Sequence, residues 1–83
     1  MMSFDAAIIK EQGVTFTVVA VKRGTIRSPQ VNSTINSFAS RFPSPIILME
    51  QDSRGTPEYY GRKDIVKFLS NINPSRFPWK RYS

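Results

Sequence analysis

Two short stretches concentrate the side chains that could do chemistry. The first is Gly61-Arg62-Lys63, which stands where a helix is expected to begin. The opening turn of a helix presents unpaired N–H groups and the positive end of the helix dipole. A glycine and two cations there suit a phosphate or a carboxylate. The stretch is neither GxxxxGK[ST] nor GxGxxG. Its plainer reading is that Gly61 permits a turn, Asp64 offsets the dipole, and Arg62 and Lys63 are simply solvated. The second stretch is Phe77-Pro78-Trp79-Lys80-Arg81-Tyr82. Rings interleaved with cations are what a single-stranded nucleic acid requires, for base stacking and phosphate contact. The competing reading is that Phe77 and Trp79 fold back over the edge of a small core.

Further candidates lie nearby. Tyr59 and Tyr60 are consecutive on an expected strand, so one ring should face the core and the other outward, where it could stack a base or fill a partner's pocket. Arg54, on the turn Ser53-Arg54-Gly55, could reach a phosphate, and Lys67 adds a further cation. The candidate anion-binding set is therefore Arg54, Gly61, Arg62, Lys63, Lys67, Lys80 and Arg81. The candidate aromatic contacts are Tyr59, Tyr60, Trp79 and Tyr82.

Catalysis has less to work with. Cysteine and histidine are absent, so disulfides, thiolate zinc sites, cysteine nucleophiles and imidazole bases are excluded. The six carboxylates show no metal-loop spacing. Glu50 and Asp52 could share one face at a strand's end, where paired carboxylates can divide acid and base roles. Nothing in the neighbouring sequence suggests that they are buried, and Asp52 has a ready role in a turn. The expectation is a binding module without cofactor or metal, not an enzyme.

The charge points to the kind of partner. The chain has 83 residues and a formal net charge of +6, with a pI near 10.2. Residues 54–83 carry seven cations against two carboxylates and include six aromatics; residues 1–53 carry five cations against four carboxylates. Such an asymmetry bears on partners and encounter rates. The leading expectation is an anionic partner, above all nucleic acid. The alternative is a protein-interaction or homodimerisation module that uses an edge strand or the aromatic C-terminal stretch.

These residues need a scaffold, and the length allows one domain. Ala6-Ala7-Ile8-Ile9, then Gly13, then Val14 to Lys22 predict a β-hairpin over residues 5–22. Val14, Phe16, Val18 and Ala20 share one face of its second strand, and Thr15, Thr17, Val19 and Val21 the other. Both faces are partly apolar, which predicts a central strand. Ser28-Pro29 predicts a helix start, and Val31, Ile35, Phe38 and Phe42 form its apolar face until Pro43-Ser44-Pro45 stops it. Ile46–Gln51 reads as a third strand, residues 52–55 as a turn, and Thr56–Tyr60 as a fourth strand kept at an edge by Pro57. Ile65, Phe68, Leu69 and Ile72 stripe a second helix that ends at Pro74.

The expected fold is α+β in the order ββαββα. It has a four-stranded, mainly antiparallel sheet with both helices on one face, and the link from the second strand to the third is open to a parallel crossover. Residues 1–74 form the domain, and residues 75–83 form a basic aromatic tail packed on it by something other than a sheet ladder. Trp79 is expected to be at least half buried near Phe68, Ile72 or the fourth strand. The stretch Thr56-Pro57-Glu58-Tyr59-Tyr60-Gly61, followed by a helix, resembles the C-terminal part of thioredoxin-like folds. The family's cysteines are absent, and the resemblance assigns no property here. The longest apolar run, Ile46-Ile47-Leu48-Met49, is far too short to span a bilayer. Met1 to Asp5 shows no secretory pattern, so the expected compartment is the cytoplasm.

Overall fold

The computed structural model describes residues 3–11 and 13–83. The readings that rest on Met1, Met2 and Gln12, including the middle of the first turn, lie outside them. Strand β1 (Phe4–Glu11) and strand β2 (Val14–Ala20) form the predicted antiparallel hairpin, with Ala6 opposite Val19 and Glu11 opposite Val14. Helix α1 (Val31–Ala39) follows, then β3 (Ile46–Gln51), β4 (Pro57–Tyr60), α2 (Lys63–Leu69), a single 3-10 turn (Pro74–Arg76) and β5 (Trp79–Tyr82). The strand order is β4-β3-β2-β1-β5, with β2 in the middle as its two apolar faces require.

The sheet is mixed. β2 and β3 run parallel, with Thr17 beside Ile46 and Val19 beside Leu48, and α1 is the crossover between them. The other three pairs are antiparallel. β4 is an edge strand, as Pro57 implied. Helix α1 begins later than Ser28-Pro29 suggested, because the Ser28 hydroxyl accepts from the Gln30 N–H (3.1 Å) in a turn that precedes the helix.

Two parts of the expected architecture are corrected. The helices lie on opposite faces of the sheet. One face packs Ala7, Phe16, Val18, Ile47 and Met49 against Ile65 and Leu69 of α2. The other packs Ala6, Val19, Ile46 and Leu48 against Ile26, Phe42 and the half-buried Val31, Ile35 and Phe38 of the α1 segment. The physical reason is the alternation of a strand: Ile46 to Met49 are all buried, so β3 needs cover on both sides.

The second correction concerns the C-terminal stretch, which is a fifth strand and not a tail outside the ladder. Trp79 pairs with Ala7, Lys80 with Ala6, Arg81 with Asp5 and Tyr82 with Phe4. Four residues with one ring at each end show no readable alternation. The free edge of β1 supplies the partner that makes them a strand. Trp79 is mostly buried, in the same apolar cluster as Phe68 and Ile72. Its indole N–H donates to the Pro74 carbonyl (2.8 Å). It lies far from β4, at the opposite edge of the sheet.

One buried hydroxyl secures the centre. Thr17 is fully buried, and its Oγ1 donates to the Pro43 carbonyl (2.9 Å) while its N–H donates to the Pro45 carbonyl (3.0 Å). Both bonds fix the chain between α1 and β3. Thr17→Val keeps the shape and removes the hydroxyl, leaving a part-buried carbonyl without its donor. We expect a loss of about 1–3 kcal/mol in a urea titration. Trp79→Ala should cost about 2–4 kcal/mol, below a fully buried tryptophan because the ring keeps some exposure.

Candidate functional site

The sequence candidates do not converge on one surface. Arg54 sits on the β3–β4 turn, where its N–H donates to Asp52 Oδ1 (2.8 Å). Lys63 and Lys67 are exposed on α2. Lys80 and Arg81 lie on β5, at the far edge from β4. Four strand spacings separate the two edges, about 19 Å. Two of the cations are already engaged. Arg62 donates from Nε and Nη2 to the two carboxylate oxygens of Asp64 (2.8 Å each). Arg81 donates to Asp5 across the β1–β5 pair (2.7 Å). The Arg62 hydrogen bond holds the exposed Asp64 carboxyl below the ordinary carboxylate range and raises the guanidinium in turn.

Gly61 is used for packing. Its φ is +154°, and a Cβ built there would stand 2.5 Å from Ile47 Cδ1 and 3.1 Å from the Ile46 carbonyl oxygen. Only a glycine lets the β4–α2 junction lie this close to β3. The α2 start is thus a packed corner, with Asp64 in its first turn.

The aromatic candidates are committed to the fold as well. Tyr59 packs in the α2-side cluster, and its buried hydroxyl has no hydrogen-bond partner among the described residues. Burial pushes that phenol above its ordinary value. Tyr60 packs in the α1-side cluster, so the two rings do take opposite faces, but both are at least half covered. Tyr82 stacks on Phe4 (centroids 5.7 Å apart, 20° between planes) and meets the edge of Phe42 at 4.9 Å. The Arg41 guanidinium lies 5.3 Å from the Phe4 centroid and 5.4 Å from that of Phe42, closing the cluster. The rings of the C-terminal stretch pack the sheet, and none stands free as a stacking platform.

The carboxylate pair also has a structural duty. Glu50 is 7% exposed, against the expectation that it is not buried, and its Oε2 accepts from the Ile26 N–H (3.1 Å). It tethers the loop between β2 and α1. Asp52 anchors its turn as expected, with Oδ1 accepting from the N–H groups of Arg54 and Thr56. No group of three carboxylates among the described residues could hold a metal ion.

What the tertiary structure does assemble is a surface at the β1–β5 edge. Ile8 is 43% exposed. Strand alternation places it, with Lys10, on the sheet face that carries α1, and Lys80 points to the same face opposite Ala6. Lys10 and Lys80 are both exposed. A shallow depression lined by Ile8, Pro78, Trp79, Lys80 and Tyr82 lies between β1 and β5. Sequence reading picked out Lys80, Trp79 and Tyr82 and missed Ile8 and Lys10. Their relevance depends on Lys80, seventy or more residues away, which no local pattern reveals. No protein-family model, curated protein or solved structure matches the chain.

Gly61→Ala should destabilise the domain by about 2 kcal/mol or more, through overpacking and an unfavourable backbone conformation. Ile47→Val removes the methyl that the new Cβ would strike. The double variant should therefore recover part of the loss, seen as a positive coupling in paired thermal melts.

Proposed function

We propose that this domain is a binding module whose working surface is the outer edge of β5, where an extended segment of a protein partner adds to the sheet as a further strand. The observation that carries this reading is the position of β5. It pairs with β1 on one side, and no strand among the described residues lies on the other. An edge strand presents unpaired N–H and C=O groups, and strand addition uses those groups for affinity and neighbouring side-chain sites for selectivity. Ile8 and the depression beside Trp79 and Tyr82 supply such a neighbour. At the opposite edge, Pro57 removes a donor from β4, which blunts that side for the same purpose.

A nucleic-acid partner is the second reading. The net charge favours it, and so do the exposed Arg54, Lys63 and Lys67, none of which lies within ion-pair distance of a carboxylate among the described residues. It draws less support from the rings, which are packed, and from Arg62 and Arg81, which are paired. Among the described residues, no helix is long and apolar enough to cross a membrane.

The two readings use different surfaces. Peptides selected from a random display library should protect from hydrogen exchange the outward-facing β5 amides other than that of Trp79, which already donates to the Phe77 carbonyl (2.8 Å), and leave α2 unchanged. Single-stranded oligonucleotides at low salt should bind weakly and without β5 protection. Tight oligonucleotide binding that falls steeply with salt, with shifts on α2 and the β3–β4 turn, would replace the first reading with the second.

A further inference from the structure

We infer that the segment taken up at β5 is acidic, carrying carboxylates at alternate positions on the side of the sheet that bears α1, and that it comes from a different protein and not from a second copy of this chain. The inference rests on the strand-addition reading and specifies its occupant.

The argument begins with parity. Successive residues of a strand point to opposite faces. On β1, Phe4, Ala6, Ile8 and Lys10 share the face that carries α1, whereas Asp5, Ala7, Ile9 and Glu11 share the face that carries α2. Both carboxylates of β1 therefore point away from the α1 side. On β5, Lys80 and Tyr82 face the α1 side, and Trp79 and Arg81 face the other. The outer strands thus present Lys80, Ile8 and Lys10 in a diagonal line on the α1 side, with no carboxylate on that face of either strand. Lys10 lies two residues beyond Ile8, and Lys80 stands beside Ala6, two residues before it.

The cations on the two faces differ in their availability. Arg81, on the α2 side, already holds Asp5 at 2.7 Å. Lys80 and Lys10 have no carboxylate within ion-pair distance among the described residues. A strand laid along β5 places every second side chain on the α1 side, directly beside Lys80. Opposite charges in adjacent cross-strand positions are favourable and like charges are not. The register that meets Lys80 with carboxylates is therefore preferred over one that meets the occupied Arg81.

The same charges disfavour self-association. Pairing β5 antiparallel with β5 of a second copy about either central residue would set Lys80 against Lys80 or Arg81 against Arg81, and each copy brings a net charge of +6. Cations on an edge strand are a common device against edge-to-edge pairing. Ile8 and Lys10 lie on β1, one strand further in and past the end of the β1–β5 pairing, so Lys80 is the cation that stands directly beside the added strand.

The test uses three synthetic octapeptides and the full chain. One alternates Glu with Thr around a central Val; the second replaces each Glu with Lys; the third is a scramble of the first that keeps its charge and breaks the alternation. Binding is followed by chemical shifts of the β5 amides. The alternating Glu peptide should bind at least about fivefold more tightly than either of the others, with shifts concentrated on Trp79–Tyr82. Lys80→Glu should weaken it by roughly tenfold, whereas Lys67→Glu, an equal change of net charge on α2, should stay within about twofold. Retained β5 shifts with equal affinity for the Lys peptide would overturn the acidic inference and leave strand addition standing. No β5 shifts with any peptide, together with oligonucleotide binding, would overturn both. A dimer in light scattering that Lys80→Glu strengthens, with no peptide bound, would make the second copy the occupant.

Discussion

The parallel pairing of β2 with β3 is the constraint on which the rest of this domain depends. Two parallel strands cannot be joined by a tight turn, so the chain must cross over one face of the sheet, and residues 21–45 do so through α1. That crossover covers Val19, Ile46 and Leu48 on one side. It leaves Phe16, Val18, Ile47 and Met49 on the other side without cover, and α2 supplies it. The hairpin partners β1 and β4 are then forced outward, one on each flank. Thr17 sits at this junction and bonds both to the returning loop and, through its backbone register, to the start of β3.

From that arrangement the two edges acquire different characters. β4 ends up against the α2 start, with Gly61 pressed onto Ile47 and no room for a side chain. Its edge contains Pro57 and is poorly suited to accept another strand. β1 is left with a free side, and the C-terminal stretch fills it as β5. The bond from Trp79 Nε1 to the Pro74 carbonyl and the Phe4–Tyr82 stack fix the two ends of that strand to opposite apolar clusters. The aromatic content of the C-terminal stretch is thereby explained by packing, and β5 carries one arginine paired with Asp5 and one lysine with no carboxylate within ion-pair distance among the described residues.

A concentration of charge along a sequence is not a patch in space. The seven cations of residues 54–83 are distributed among a turn, a helix, a 3-10 turn and an edge strand on different sides of the molecule. Conversely, the local excess of positive charge on the α1 side of β1 and β5 joins Lys10 to Lys80 and is invisible in any window of sequence. Strand parity explains both, because it separates neighbours in the chain onto opposite faces and brings distant residues onto one.

The sequence by itself determined the α+β class, the hairpin, the first four strands and two helices to within a few residues, the central place of β2 and the edge place of β4. These follow from local chemistry: β-branched runs, a proline that cannot donate, and apolar residues at helical spacing. It also excluded thiol and imidazole chemistry by composition. The buried run Ile46–Met49 carried the information that both faces are covered, but a continuous apolar run does not say which helix lies on which side. Only the tertiary structure decided that, along with the fifth strand, the burial of Glu50 and the Lys80–Ile8–Lys10 surface. Each depends on residues far apart in the chain meeting across the sheet, and β5 in particular is a strand because β1 has an edge to offer it.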